Sequence, residues 1–341
     1  MSIPTPATEP SAALAHVAAE INAVTLEDRA LEALLLALRD SGYRFITTTP
    51  LTHARVLARS LDAPAAGLRN IFGWNRPFAP HTVAPDILSL MTRAGLLQEA
   101  GALQRSTVRV SALGDDLFVH SAYPTGAADA VFFGPDTYRF ARFIREALRW
   151  RPDAPQRILD IGCGSGAGAI VAARALMQNG SSAPTIYMND INPLALRYCA
   201  VNAAAAGVAV TLAQGDALSA VEGDFDLIIS NPPYLDDDTA RTYRHGGARL
   251  GRALSVRFAR EALARLAPGG QLLLYTGVVM VDGDDPLRAE LLPLLEAADC
   301  VWSYEEIDPD VFGEELDRPV YAQAERIAAV GLIATRRSVE H

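Results

Sequence analysis

Two stretches of the chain hold side chains whose types and spacing could do chemistry. One is Arg157-Ile-Leu-Asp-Ile-Gly-Cys-Gly-Ser-Gly-Ala-Gly168, and the other is Asn231-Pro-Pro-Tyr234. In the first, Ile158, Leu159 and Ile161 make an apolar run that reads as a buried strand. Gly162, Gly164 and Gly166 let the backbone turn sharply and come close to a ligand. Ala167 to Met177 has helical composition and no internal breaker. A strand, a glycine turn and a helix can hold a dinucleotide, another nucleotide or nothing, so this stretch alone does not decide the ligand.

Two acids narrow the choice. Asp160 stands at the strand end, before the glycines, where a carboxylate repels a pyrophosphate but accepts hydrogen bonds from a cationic amino-acid ligand. Asp190 closes the next strand-like run, Thr185-Ile-Tyr-Met-Asn-Asp190, and suits a ribose diol; its alternative role is to cap the next helix. A ligand with a ribose and a cationic tail but no phosphate fits S-adenosylmethionine. Asn231-Pro-Pro-Tyr234 has a matching logic. An amide or aryl-amine nitrogen has a delocalised lone pair and is a poor nucleophile. The Asn231 side-chain oxygen and the Pro232 carbonyl can accept its two N–H hydrogens. That orients the nitrogen and stabilises the positive charge developing on it. Pro232 and Pro233 fix the backbone and offer no competing donor, and Tyr234 can stack on a planar group.

Taken together, these stretches resemble class I S-adenosylmethionine-dependent methyltransferases, over roughly Val131 to the C-terminus. The Asn-Pro-Pro-Tyr motif resembles that of enzymes that methylate planar nitrogens, release-factor glutamine methyltransferases in particular. The resemblance implies an α/β fold: a Rossmann-like, doubly wound, mostly parallel sheet. It implies S-adenosyl-L-methionine as cofactor, held by Asp160, Gly162, Cys163, Gly164, Gly166, Asp190, Ile191, Asp216, Ala217, Asn231, Asp136 and Thr137. Catalysis would fall to Asn231, Pro232, Pro233 and Tyr234. Asp216 would meet the adenine amino group; a solvated turn aspartate is its alternative. Asp136-Thr137 matches a segment that such enzymes place before the helix leading to the first core strand, and would form a lid over cofactor and substrate, cap the helix from Tyr138 to Trp150, or do both. His245-Gly-Gly-Ala-Arg-Leu-Gly251 resembles their glycine-rich loop, with Leu250-Gly251 where Asp-Gly is usual. Cys163 is expected to pack rather than react, and His245 lies near the site without a catalytic role. Asp236-Asp-Asp238 reads as a solvated loop, with contact to a basic substrate as the alternative.

The remaining elements must position these groups. Apolar residues recur at helical spacing from Ser11 to Arg39, with Leu31, Leu34, Leu35 and Leu38 on one face, after a Pro/Thr-rich start. Asp86 to Leu97 reads as a helix capped by Asp86. Thr107–Ser111 and Leu117–His120 read as a hairpin closed by Gly114-Asp-Asp116. Helices followed by a small hairpin resemble a winged-helix module, here with an acidic wing tip. The cluster Phe72-Gly-Trp-Asn-Arg-Pro-Phe78 would line a substrate pocket or pack between domains. Beyond the glycine turn, strand and helix alternate: a helix to Ala206, strands at Val208–Leu212 and Phe225–Ser230, then a helix from Val256 to Leu266 stopped by Pro268-Gly-Gly270. Strands at Gln271–Thr276, Val301–Ile307 and Ile327–Thr335 would complete the sheet, the last of them antiparallel. The expected division is residues 1–122 as a smaller helical, winged-helix-like domain for substrate recognition or dimerisation, 123–150 as a bridging segment and helix, and 151–341 as the methyltransferase domain.

Composition sets outer bounds. The 341 residues, half of them hydrophobic, can bury a large core. All 30 basic residues are arginine, which removes reactions that need a P-loop lysine or a lysine Schiff base. The net charge of −10 is uneven: residues 1–150 hold 14 arginines and 14 acids, and the rest hold 16 and 26. An acidic catalytic half disfavours nucleic acid as substrate. The expected partner is a protein, with nucleic acid or a small molecule behind it, and no membrane. Cys163, Cys199 and Cys300 give neither disulfide nor metal spacing, and a cytoplasmic setting is expected.

Overall fold

The computed structural model describes residues 24–59, 65–149, 151, 154–178, 183–236 and 241–338. The start of the first expected helix, Trp150 and Asp237-Asp238 lie outside them. The leucine stripe forms helix α1 (Leu26–Asp40), with Leu31, Leu34, Leu35 and Leu38 buried. A capping box starts it: the Thr25 hydroxyl accepts the Asp28 N–H at 3.0 Å, and the Asp28 carboxylate accepts the Thr25 N–H at 3.1 Å. Helices α2 (Pro50–Ala58) and α3 (Pro85–Arg93) follow. Asp86 does not cap α3. Ala84 holds the cap position and Pro85 opens the first turn, which leaves Asp86 inside it, where its charge still favours the helix start. The helix also stops well before Leu97, because Gly95 takes a left-handed φ of 68°.

The next residues make a hairpin that the sequence did not reveal, β1 (Leu97–Ala100) with β2 (Leu103–Ser106). The expected hairpin is β3 (Val108–Leu113) with β4 (Asp116–Ser121), but it is no exposed wing: its residues are almost all buried. Helix α4 (Pro135–Arg149) leads into the sheet.

The sheet strands are β5 (Arg157–Ile161), β6 (Thr185–Asp190), β7 (Thr211–Gln214), β8 (Phe225–Ser230), β9 (Leu266–Met280), β10 (Cys300–Asp308) and β11 (Arg326–Arg336). Between them run α5 (Ala167–Gln178), α6 (Pro193–Ala206), α7 (Ala253–Leu263) and α8 (Pro286–Ala297). The order is β10-β11-β9-β8-β5-β6-β7. Strands β5 to β9 pair in parallel, and β11 runs antiparallel between β9 and β10, as expected of the final strand. Apolar clusters fill both faces, which makes this a doubly wound, Rossmann-like sheet. Two boundaries differ from the sequence reading. Pro268-Gly-Gly270 does not stop a helix; it is a bulge inside β9, where the pairing shifts between Phe225–Leu266 and Leu227–Gln271. Val208 to Val210 precede β7, because the chain joins β6 only from Thr211.

The N-terminal part is packed onto α6. Ala195, Tyr198 and Val201 of α6 belong to the same apolar cluster as the α1 leucines. Arg197 pairs with Asp28 at 2.5 Å. One acid of the β3–β4 hairpin tip turns inward while Asp115 stays exposed: Asp116 takes a two-pronged contact from Arg174 of α5, at 2.7 and 2.9 Å. Asn202 of α6 is fully buried, and its amide bonds the Val119 N–H, the Val119 carbonyl and the Ser165 carbonyl. No helix among the described residues is long and apolar enough to cross a membrane.

Candidate active site

A cavity of about 450 Å³ opens at the carboxyl ends of β5, β6 and β8, within the range of small-ligand sites. The glycine turn forms one wall. Gly162, Gly164 and Gly166 have φ of 67°, 53° and 79°, conformations open to glycine and costly for other residues. A Cβ on Gly166 would come within 2.9 Å of the Cys199 Cβ. Asp190 clamps this turn: one carboxylate oxygen accepts the Gly164 N–H and the other the Asn192 N–H, both at 2.9 Å. Asn192, not Asp190, caps α6, accepting the Leu194 N–H at 2.9 Å. Burial holds the Asp190 carboxyl above the usual range despite those bonds.

Asp160 is 1% exposed and accepts the Ala169 N–H at 2.9 Å, at the start of α5. Gly168 makes the approach possible, since a Cβ there would lie 2.7 Å from the carboxylate. Burial, with the Asp190 charge adding to it, pushes Asp160 up to about 7. Farther along the wall, Ile191 is exposed and Ala217 is buried with a φ of 48°. Asp216 sits on the rim with both oxygens on Arg257, at 2.7 and 2.8 Å, and that pairing holds its carboxyl low. Cys163 packs beneath the turn, its sulfur 3.7 Å from that of Cys199, a neighbour the sequence spacing concealed. That neighbouring thiol and burial push the Cys163 thiol well up, away from reactivity.

Asn231-Pro-Pro-Tyr234 forms the opposite wall, directly after β8. The Ser230 hydroxyl donates to the Ile161 carbonyl at 3.0 Å and ties the two strand ends together. Asn231 Nδ2 donates to Asp136 at 3.3 Å. The Tyr275 hydroxyl, from β9, donates to the other Asp136 oxygen at 2.6 Å. Asp136 is buried, and burial raises its carboxyl against the pull of these donors. The Thr137 hydroxyl closes the turn before α4 by accepting the Gly134 N–H at 3.2 Å. The Tyr234 ring lies against Gly277 of β9, where any Cβ would overlap it, and meets Phe312 edge-on at 5.8 Å. Phe312 has a φ of 55°, strained for an aromatic residue.

The loop after the motif braces it. The Gly246 N–H donates to the Leu235 carbonyl at 2.7 Å, and Cβ atoms on Gly246 or Gly251 would overlap the backbone of Gly251 or Tyr234. Leu250 takes a left-handed φ of 57°, a setting that aspartate tolerates better than leucine. The loop also meets the bridging segment: the Thr242 N–H reaches the Ala128 carbonyl at 3.1 Å, and Tyr243 stacks on Phe132 at 5.7 Å. From the β10–β11 connection, Glu315 pairs with Arg244 and Arg318, and the Asp236 N–H donates to the Tyr321 hydroxyl at 2.7 Å. His245 lines the cavity. The Phe72–Phe78 cluster does not: Phe72 and Phe78 are buried in the N-terminal core, and Trp74 packs on Phe45 and His53. Sequence reasoning missed Tyr275, Phe312, Tyr243 and Arg257. Tyr275, Phe312 and Arg257 come from a strand, a loop and a helix outside both motifs, and Tyr243 lies in the loop after the second motif with no pattern of its own to mark it.

The donor set fits S-adenosylmethionine. Asp160 and Asp190 line the glycine-turn side of the cavity, a wall that opposes phosphate and favours a cation. Among the described residues Asp160 has a single hydrogen-bond donor, and its carboxyl is strongly raised, which a cationic amino-acid group would relieve.

The chain is similar to known methyltransferases. Residues 141–279 match the family model of the methyltransferase small domain. A release factor glutamine methyltransferase of Deinococcus radiodurans is 34% identical over 205 residues, 56% of this chain and 66% of that protein. A ribosomal RNA small subunit methyltransferase C of Shewanella loihica is 34% identical over 125 residues, 36% of this chain and 32% of that protein. The chain thus spans just under two thirds of the first and about a third of the second. The crystal structure of wild-type Trm5b from Pyrococcus abyssi aligns over 85% of this chain and 78% of its own, at 16% identity and a TM-score of 0.47.

Proposed function

We propose that this chain, which carries a class I methyltransferase domain, is an S-adenosylmethionine-dependent N-methyltransferase acting on a planar nitrogen, and that its acceptor is a glutamine side-chain amide of a protein. The observation that carries this is the placing of Asn231-Pro-Pro-Tyr234 across one cavity from the glycine turn, with Asp160 and Asp190 on the turn's side. The protein-amide choice rests on the longer match to the release factor enzyme and on the acidity of the catalytic half. Methylation of an exocyclic amine in RNA or DNA is the second reading, favoured by the ribosomal RNA relatives. A small-molecule amine is the third.

When bound, S-adenosylmethionine supplies an activated methyl group on a sulfonium. The chain's own residues do the rest. Asp160 would hold the cationic amino-acid end, and Asp190 the ribose hydroxyls. Gly162, Cys163, Gly164 and Gly166 offer backbone at close range, Ile191 and Ala217 flank the base, and Asp216 reaches its amino group from the rim. The Asn231 side-chain oxygen and the Pro232 carbonyl accept the two acceptor N–H hydrogens and aim the nitrogen. Pro233 stiffens the turn and Tyr234 packs beside the planar group. Asp136 and Thr137, on the bridging segment, close the cavity above them. We assign residues 1–122 to substrate recognition or dimerisation, 123–150 to this bridge and 151–341 to methyl transfer, in a cytoplasmic protein.

The test is methyl-label transfer from radiolabelled S-adenosylmethionine into a lysate, with products split by protease, nuclease and size filtration. Label removed by protease supports the protein acceptor. Label removed by nuclease favours the second reading, label in the filtrate the third, and no label at all refutes the activity.

A further inference from the structure

Asn231 must present oxygen, not nitrogen, to an acceptor N–H, and an amide side chain has no intrinsic preference between its two faces. The structure supplies a reason for one orientation. Asp136 is buried, and one of its oxygens takes the Tyr275 hydroxyl at 2.6 Å. The other faces the Asn231 amide at 3.3 Å. An ionised carboxylate only accepts hydrogen bonds, so the amide must turn its Nδ2 toward Asp136. A flipped amide would set oxygen against oxygen in a buried site, where an unpaired charge is costly.

We propose that Asp136 is a positioning residue: its carboxylate fixes the Asn231 amide with Nδ2 turned inward and Oδ1 free for the acceptor. This rests on the methyl-transfer reading of the site. The tyrosine is part of the device. With Tyr275 donating to one oxygen, the other must serve Asn231. Protonation of Asp136 would make that oxygen a donor and select the flipped, unproductive amide. Turnover therefore falls on the acid side as Asp136 takes up its proton. The groups facing it are Tyr234, Tyr275 and Arg139, and Arg139 is itself paired with Asp308 at 2.8 Å. Burial raises the carboxyl, so the acid limb lies above the ordinary carboxylate range.

The decisive variant is Asp136→Asn, which keeps size and polarity. Its oxygen still receives the Tyr275 hydroxyl, so its NH2 faces Asn231 and selects the wrong face. Turnover on the tested acceptors, a bacterial release factor or small-subunit ribosomal RNA, should drop by about 10- to 100-fold, the scale of one hydrogen bond to a charged group. Cofactor affinity should stay within about threefold, and the acid limb should vanish. Adding Tyr275→Phe frees the new amide to turn its oxygen toward Asn231 and should restore part of the loss. Asp136→Asn turnover within about threefold of wild type, or no recovery in the double variant, overturns the proposal. Cofactor affinity falling in step with turnover also overturns it, placing Asp136 on the cofactor instead. Should the wild-type chain methylate neither acceptor, the functional reading fails, and the proposal is judged by NMR of the Asn231 side-chain amide. That resonance should titrate with Asp136 in wild type and lose its pH dependence in Asp136→Asn. A resonance indifferent to both overturns it.

Discussion

The two ends of the cavity are built differently. The turn end is local: Gly162 to Gly166 and Asp160 lie within one short stretch, and Asp190 ties that turn to the end of the neighbouring strand through backbone N–H groups. The acceptor end is assembled from afar. Asn231 leans on Asp136 from α4, Asp136 on Tyr275 from β9, and Tyr234 on Gly277 and Phe312. Backbone donors hold the first end and side chains from remote elements hold the second. A ligand shared across a family can be held by a conserved geometry of main chain, whereas an acceptor that varies calls for parts that can be exchanged singly.

This contrast predicts separable losses. The largest is Asn231→Ala, which should lower turnover by about 100-fold or more while leaving cofactor affinity nearly unchanged. Kinetics and calorimetry on the same preparation check it, and turnover near wild type would remove Asn231 from the reaction. Next is Asp160, whose carboxyl rises from 3.8 to about 7 in the fold. Between those pH values the folded chain holds a proton that the unfolded chain has released, so its contribution to stability falls as pH rises through that window. Asp160→Asn should remove this slope and stabilise the ligand-free chain at pH 8 by on the order of 4 kcal/mol relative to its effect at low pH. Denaturant unfolding of both forms at low and high pH tests it, and a variant effect independent of pH contradicts it.

Asp190→Ala should weaken cofactor binding by about 10- to 100-fold and spare turnover at saturating cofactor. Loss of turnover with intact affinity would mean that the two ends are not separable as argued. The smallest effect is expected at the rim. Arg257 and Asp216 are a partly exposed pair, so Arg257→Ala should cost less than about 1 kcal/mol of stability and change cofactor affinity by less than about threefold. A larger shift in affinity would mean that Arg257 shares with Asp216 in the cofactor's grip.

What the sequence made legible follows the same division. The glycine turn, Asp160, Asp190 and the strand–helix alternation were readable because each is written in neighbouring residues. Two boundaries misled for a physical reason: Pro268-Gly-Gly270 looks like a helix stop, but the sheet absorbs it as a bulge. The β1–β2 hairpin hid behind a helix-like run that Gly95 interrupts. Tyr275 and Phe312 look like ordinary strand and loop aromatics until the fold brings them to Asp136 and Tyr234. The burial of Asp116 at the β3–β4 tip was also unreadable, since it looks solvated until Arg174 arrives from another helix.

Asn202 gives the architecture a last property. One buried amide holds the β4 backbone with one side and the Ser165 carbonyl of the glycine turn with the other. A single residue is thus a joint between the part that precedes the sheet and the loop that receives the ligand. The two halves are not beads on a string. Cutting them apart would strand the two bonds from this amide to Val119 and bare the apolar flank of α6 to water, so neither half is a module that could be traded whole.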